Sequence, residues 1–183
     1  MLNVPNAITL LRFALIPLLV WQLLQREYGT AFVLFIVSAL TDLVDGFVAR
    51  RWNLGTRFGA IADPLADKLT MLTVTVALAV QGWLPWWFAM ASVLRDVVIV
   101  SGALAYHWLI GPVPMVPSGL SKLNTALEFV VLTSALGIAA GHIDGGAWWR
   151  LLVLTTLATI VMSGVHYVVV WGVKAVQARR APR

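Results

Sequence analysis

Long apolar stretches, broken by short polar ones, order this chain. A membrane-crossing helix needs about 20 mostly apolar residues. Six stretches approach that length, at 8–24, 30–48, 60–80, 84–107, 121–140 and 148–173. The breaks fall at "QREYG", "RRWNLGTR", "QGW", "IGPVPMVPSG" and "GHIDGG", which carry turn formers, charges or both. The pattern predicts an all-α integral membrane bundle of six transmembrane helices. Pro17 should kink the first. No internal repeat or linker divides the chain, so residues 1–183 read as one domain.

Composition agrees with immersion in lipid. Of 183 residues, 60% are hydrophobic and only 11% charged, where soluble domains carry about a quarter charged residues. There is no cysteine, which removes disulfide and thiol chemistry. The N-terminus reads as lacking a cleavable signal or a transit peptide. The net charge of +5 does not point to nucleic acid, because the bases sit at the ends of apolar segments. An even number of spans puts both termini on one side, together with Arg50, Arg51, Arg57, Lys122, Lys174, Arg179, Arg180 and Arg183. The other side receives Arg26 and Arg150. This imbalance assigns the first side, and both termini, to the cytoplasm. Trp83, Trp86, Trp87, Trp148 and Trp149 then form an aromatic belt at the outer interface.

One segment departs from the apolar pattern. "TDLVDGFVARRWNLGTRFGAIADPLADK" joins spans two and three and holds Asp42, Asp45, Asp63 and Asp67. Asp42 and Asp45 are three residues apart and Asp63 and Asp67 four, so each pair falls on one helix face. A short connection makes the two helices antiparallel neighbours, which lets the four carboxylates converge. Four carboxylates at a membrane edge repel one another and are costly to desolvate. Bound divalent cations would compensate, and hard oxygen donors suit Mg²⁺, Mn²⁺ or Ca²⁺. A pair of metals bridged by carboxylates is an established arrangement for phosphoryl chemistry. Gly46, Ala49, Gly55, Gly59, Ala60 and Ala62 leave room beside the backbone for a bulky ligand. Arg50, Arg51 and Arg57 are either phosphate ligands or positive-inside anchors. Salt bridging between the aspartates and these bases is the plain structural alternative. A divalent-cation transporter is another, but it calls for carboxylates near mid-membrane and usually an internal repeat. A purely structural membrane scaffold leaves the aspartates unexplained.

The spacing D-x2-D-G-x2-A-R-x8-G-x3-D-x3-D, here Asp42, Asp45, Gly46, Ala49, Arg50, Gly59, Asp63 and Asp67, resembles the signature of the CDP-alcohol phosphotransferases. Six spans in about 180 residues resemble that family's core along the whole chain. The resemblance implies a homodimeric enzyme that transfers a phosphatidyl group from CDP-diacylglycerol to an alcohol and releases CMP. It implies two divalent cations, Mg²⁺ or Mn²⁺, held by Asp42, Asp45, Asp63 and Asp67, with Asp67 also the general base. Gly46, Ala49 and Gly59 would lie against the cytidine nucleotide, with Arg50 a diphosphate contact or an anchor. In "NAITLLR", Asn6, Thr9 and Arg12 resemble a family run beside the nucleotide; the alternative is a helix cap followed by a snorkelling arginine. The implied location is a bacterial inner membrane, with the active site facing the cytoplasm.

The acceptor must be read elsewhere. Arg95 lies inside span four and Lys122 opens span five, and bases at such depth call for an anionic partner. With Arg57 they are the candidate ligands of the acceptor phosphate. Alternatively, Arg95 pairs with Asp96 or Glu128 and holds helices together. "LRD", "PSGLSKLNTA" and "LTDLVDGFVARRW" are most similar to the CMP-forming cardiolipin synthase branch, which uses phosphatidylglycerol. Phosphatidylglycerophosphate synthases, which use glycerol 3-phosphate, more often show Glu after the span-four Arg and Gly-Lys at Ser121-Lys122. Glu128 departs from the Gln expected in the cardiolipin branch. The apolar loop "WLIGPVPMVPSGLS" suits an acceptor arriving from the bilayer, or is an ordinary interfacial loop. His107, His142 and His166 lack metal-ligand spacing and read as packing or interfacial residues. The basic tail "KAVQARRAPR" would meet anionic headgroups.

Overall fold

Each apolar stretch becomes one helix. The computed structural model describes residues 4–52, 57–109, 111 and 118–180; the side chains of 4–10, 42–52, 57–64, 107, 109 and 175–180 lie outside that description. The helices are α1 (Val4–Leu24), α2 (Tyr28–Trp52), α3 (Arg57–Val80), α4 (Trp86–Leu109), α5 (Gly119–Ala139) and α6 (Ala147–Arg180). No strand occurs among the described residues. Three segments there are long and apolar enough to cross a membrane: Trp86–Tyr106, Gly119–Ala139 and Ala147–Lys174. Leu11–Leu24 and Tyr28–Thr41 are shorter apolar helical stretches. Large apolar side chains remain on the outside, among them Trp21, Leu94, Met90, Leu151 and Trp108. Such an apolar exterior is the mark of a surface solvated by lipid.

The packing divides into two compact units, Met1–Leu84 with Leu132–Gly145, and Pro85–Val131 with Gly146–Arg183. In the first, α1 packs against both α2 and α3. Its core is a set of helical stripes: Leu19 and Leu23 from α1, Ala31 and Phe35 from α2, Ala66, Val74 and Leu78 from α3, and Leu132 and Leu136 from the end of α5. Pro17 lies inside α1, where it cannot donate the backbone hydrogen bond of its turn. α3 begins at Arg57, earlier than the apolar stretch, so Pro64 falls in its interior.

Three helix ends of this unit share one device. Glu27 N donates to Gln22 O at 2.9 Å and Arg26 N to Leu23 O at 3.0 Å; Trp83 N to Leu78 O and Gly82 N to Ala79 O repeat the pair, as do His142 N to Gly137 O and Gly141 N to Ile138 O. These are Schellman caps, which require one left-handed residue. Gly82 and Gly141 supply it at φ 82° and 73°, but in the first turn Arg26 does so at φ 61°. A side chain in that region costs on the order of 1 kcal/mol. Arg26→Gly is therefore expected to stabilise the protein by up to about 1 kcal/mol, read as a raised thermal midpoint in detergent; an unchanged or lower midpoint would show that the turn is not strained.

In the second unit, α4 packs against α6. Phe88 and Ala103 of α4 and Val153 and Ile160 of α6 are buried. The inner stripes also carry polar side chains: Ser92 and Arg95 on α4, Asn124 and Glu128 on α5, Thr156 and Ser163 on α6. Small and hydroxyl-bearing residues inside and apolar residues outside are what membrane helices use to associate.

Candidate functional site

The helix bounds fix the register of the acidic motif. α2 runs without interruption through Asp42, Asp45, Gly46, Ala49 and Arg50 to Trp52. α3 starts at Arg57 and carries Gly59, Asp63 and Asp67 in its first half. Each aspartate pair thus keeps the three- or four-residue helical spacing that puts it on one face. Both helices adjoin α1, which also carries Asn6 and Thr9 in its first turns. The side chains of Asn6, Thr9, Asp42, Asp45, Gly46, Ala49, Arg50, Arg57, Gly59 and Asp63 lie outside the described residues. Among the described residues no three His, Cys, Asp or Glu side chains form a metal-sized cluster.

Asp67 is described, and it is half-buried. Its place follows from the α3 pattern. Met71, Val74 and Leu78 are buried at four-, seven- and eleven-residue steps beyond it, so Asp67 continues their stripe one turn further toward the helix start. Next to it Ala66 is fully buried and Thr70 turns its hydroxyl onto the Ala66 carbonyl at 2.8 Å. The carboxylate is therefore presented from a turn whose neighbours Ala66 and Thr70 are buried. Arg12 is 1% exposed, so it packs in the interior and does not snorkel.

The acceptor candidates lie in the second unit and differ sharply. Lys122 is exposed in the first turn of α5. Arg95 is buried, and its guanidinium is held from three sides. Nη1 meets Asp96 Oδ1 at 2.9 Å, while Nη2 donates to Ser121 Oγ at 2.7 Å and to Ser163 Oγ at 3.2 Å. The alternative pairing, with Asp96, is present. Glu128 instead accepts from Ser92 Oγ at 2.7 Å. Thr159 Oγ1 donates to Asn124 Oδ1 at 2.9 Å, which completes a polar ladder through α4, α5 and α6. The hydroxyls of Ser121 and Ser163 were not singled out by sequence reasoning. Their only signal is polar residues recurring on the inner stripe of apolar helices. Two histidines form ring contacts, His142 with Phe32 and His166 with Tyr167, in keeping with packing roles; the side chain of His107 lies outside the described residues. The loop before α5 lies largely outside the described residues.

The family model for CDP-alcohol phosphatidyltransferase matches residues 2–171, which takes in the acidic motif and five whole helices. The chain belongs to the CDP-alcohol phosphatidyltransferase family. The relatives it resembles carry two kinds of name. The Drosophila melanogaster "Probable cardiolipin synthase (CMP-forming)" is 30% identical over 178 residues, 86% of this chain and 55% of the relative. The Homo sapiens cardiolipin synthase (CMP-forming) is 26% identical over 181 residues, 90% of this chain and 60% of the relative. The Escherichia coli (strain K12) CDP-diacylglycerol–glycerol-3-phosphate 3-phosphatidyltransferase is 34% identical over 136 residues, 71% of this chain and 74% of the relative. The CDP-alcohol phosphatidyltransferase chain thus spans 55–60% of the length of these two cardiolipin synthases.

Proposed function

We propose that this protein transfers the phosphatidyl group of CDP-diacylglycerol to a hydroxyl of phosphatidylglycerol, giving cardiolipin and CMP. The observation that carries the reading is the family match over residues 2–171, joined to an eight-residue acidic signature with every spacing intact on α2 and α3. The Drosophila and human cardiolipin synthases match 86% and 90% of the chain, against 71% for the glycerol 3-phosphate enzyme. The 34% identity to the latter favours a second reading, in which glycerol 3-phosphate is the acceptor and phosphatidylglycerophosphate the product.

In this reading Asp42, Asp45, Asp63 and Asp67 hold two Mg²⁺ or Mn²⁺ ions. The donor set fits: all four are hard oxygen ligands, and the helical register pairs them. Bound there, the cations would offset the charge of the diphosphate and of departing CMP. Asp67 accepts the proton of the acceptor hydroxyl as its oxygen bonds to the β-phosphorus and the bond from that phosphorus to the CMP oxygen breaks. A carboxylate is a weak base for an alcohol, so positioning and charge supply most of the rate. Asn6, Thr9, Gly46, Ala49, Arg50 and Gly59 take the nucleotide; Arg95, Lys122 and Arg57 take the acceptor phosphate. The whole chain, 1–183, acts as one domain of six spans in a bacterial inner membrane, as a homodimer, with both termini and the active site on the cytoplasmic face. The Lys/Arg asymmetry and the three apolar segments of spanning length support this placement.

The purified chain supplied with CDP-diacylglycerol and Mg²⁺ or Mn²⁺ is expected to release CMP when given phosphatidylglycerol, with cardiolipin as the lipid product. Product only with glycerol 3-phosphate would move the assignment to the second reading. CMP release with neither acceptor would remove both.

A further inference from the structure

A groove of about 340 Å³ runs between α4 and α6. Its walls are Ala91, Leu94 and Val98 on one side and Val161, Gly164 and Val168 on the other. Among the described residues that line it, Arg95 alone is polar. Both helices contain segments of membrane-spanning length and hydropathy, so the groove is a place for hydrocarbon. Arg95 gives it a second character. Two of its nitrogens are engaged by Asp96, Ser121 and Ser163, whereas its Nε is buried with no hydrogen-bond partner. A cationic N–H without an acceptor in a low-dielectric interior is costly, more so than a neutral one. Gly164 joins the two features, since a Cβ there would lie 3.8 Å from Arg95 Cγ. The arginine stem therefore crosses α6 at a glycine and forms part of the groove wall.

A small soluble anion bound at Arg95 would leave the apolar walls unfilled. A plain hydrocarbon would fill the walls and leave Nε without an acceptor. A molecule with an anionic phosphate and a long acyl chain meets both demands. We propose that the α4–α6 groove holds an acyl chain of the acceptor, which is thus a diacyl phospholipid with its phosphate on Arg95. This rests on the reading of Arg95 as an acceptor-phosphate ligand and gives that reading its substrate class.

The test narrows the groove from each wall without touching the proposed chemistry. Ala91→Phe and Val161→Trp are assayed as the full chain in detergent micelles, by CMP release. The acceptors are dioleoyl-phosphatidylglycerol, dihexanoyl-phosphatidylglycerol and glycerol 3-phosphate. Each buried methylene contributes a factor of about four in affinity, so expelling two costs about fifteenfold. Both variants are expected to raise KM for the dioleoyl acceptor by about that factor. KM for the dihexanoyl acceptor and for CDP-diacylglycerol should stay within about twofold. Equal rises for both acceptor lengths, or none, would overturn the groove assignment. A rise for long-chain CDP-diacylglycerol instead would give the groove to the donor and overturn it too. Turnover with glycerol 3-phosphate alone would overturn the lipid acceptor while leaving the donor chemistry in place. Loss of CMP release by the wild type with every acceptor would instead remove the transferase reading itself.

Discussion

Asp67→Asn is expected to lower CMP release by about a thousandfold while leaving the protein folded. The magnitude combines two losses. A positioned general base contributes on the order of 10² to 10⁴ in rate, and the same oxygen is assigned to a cation. The substitution is nearly isosteric, so it should not disturb α3, where Ala66, Thr70, Val74 and Leu78 make the packing contacts. Asn retains an oxygen that can accept hydrogen bonds but cannot take a proton from an alcohol at neutral pH. Asp67→Glu keeps the basicity and moves it by one methylene, so it should recover part of the rate. Three measurements separate the alternatives: kcat for CMP release, equilibrium binding of CDP-diacylglycerol, and helical content by circular dichroism. Wild-type turnover in the Asn variant would remove Asp67 from the chemistry. Loss of helical content would instead mean that the half-buried carboxylate holds the fold.

The helices were legible from hydropathy because lipid immersion demands unbroken apolar runs and satisfied backbone groups. Their ends were less so. The apolar stretch 30–48 extends as helix to Trp52, 60–80 begins as helix at Arg57, and 148–173 continues to Arg180. Hydropathy reports where the chain meets hydrocarbon, whereas the backbone hydrogen-bond ladder continues into polar sequence. The acidic motif was legible because its meaning lies in spacing along one chain segment. The setting of Arg95 was not. Its partners Ser121 and Ser163 are 26 and 68 residues away, and a serine in an apolar helix is ordinarily a packing residue. Arg12 makes the same point in reverse. Near the end of an apolar run it reads equally well as a snorkelling base, and only the packing of α1 on α2 and α3 shows it buried.

Removal of divalent cations is the second large effect. EDTA is expected to stop turnover, and Mg²⁺ or Mn²⁺ added in excess to restore it. The argument begins with charge. Four carboxylates lie within the 26 residues from Asp42 to Asp67, and the donor brings a diphosphate to them. Two like charges 4 Å apart repel by about 4 kcal/mol at an effective dielectric of 20, which corresponds to roughly a thousandfold in affinity. The nearby Arg50, Arg51 and Arg57 offset part of this, so the expected loss of CDP-diacylglycerol affinity is about a hundredfold or more. Chelation should therefore weaken donor binding as well as stop the reaction, a result that a purely catalytic metal would not give. Binding of Mn²⁺ followed by electron paramagnetic resonance gives a readout independent of turnover. The wild type should take up two ions per chain, and Asp45→Asn fewer or more weakly. An EDTA-resistant enzyme, or Mn²⁺ uptake unchanged in the variant, would return the four aspartates to salt bridges with the neighbouring arginines. Loss of Mn²⁺ uptake with the helical fold retained would instead tie the ions to these carboxylates, whichever alcohol proves to be the acceptor.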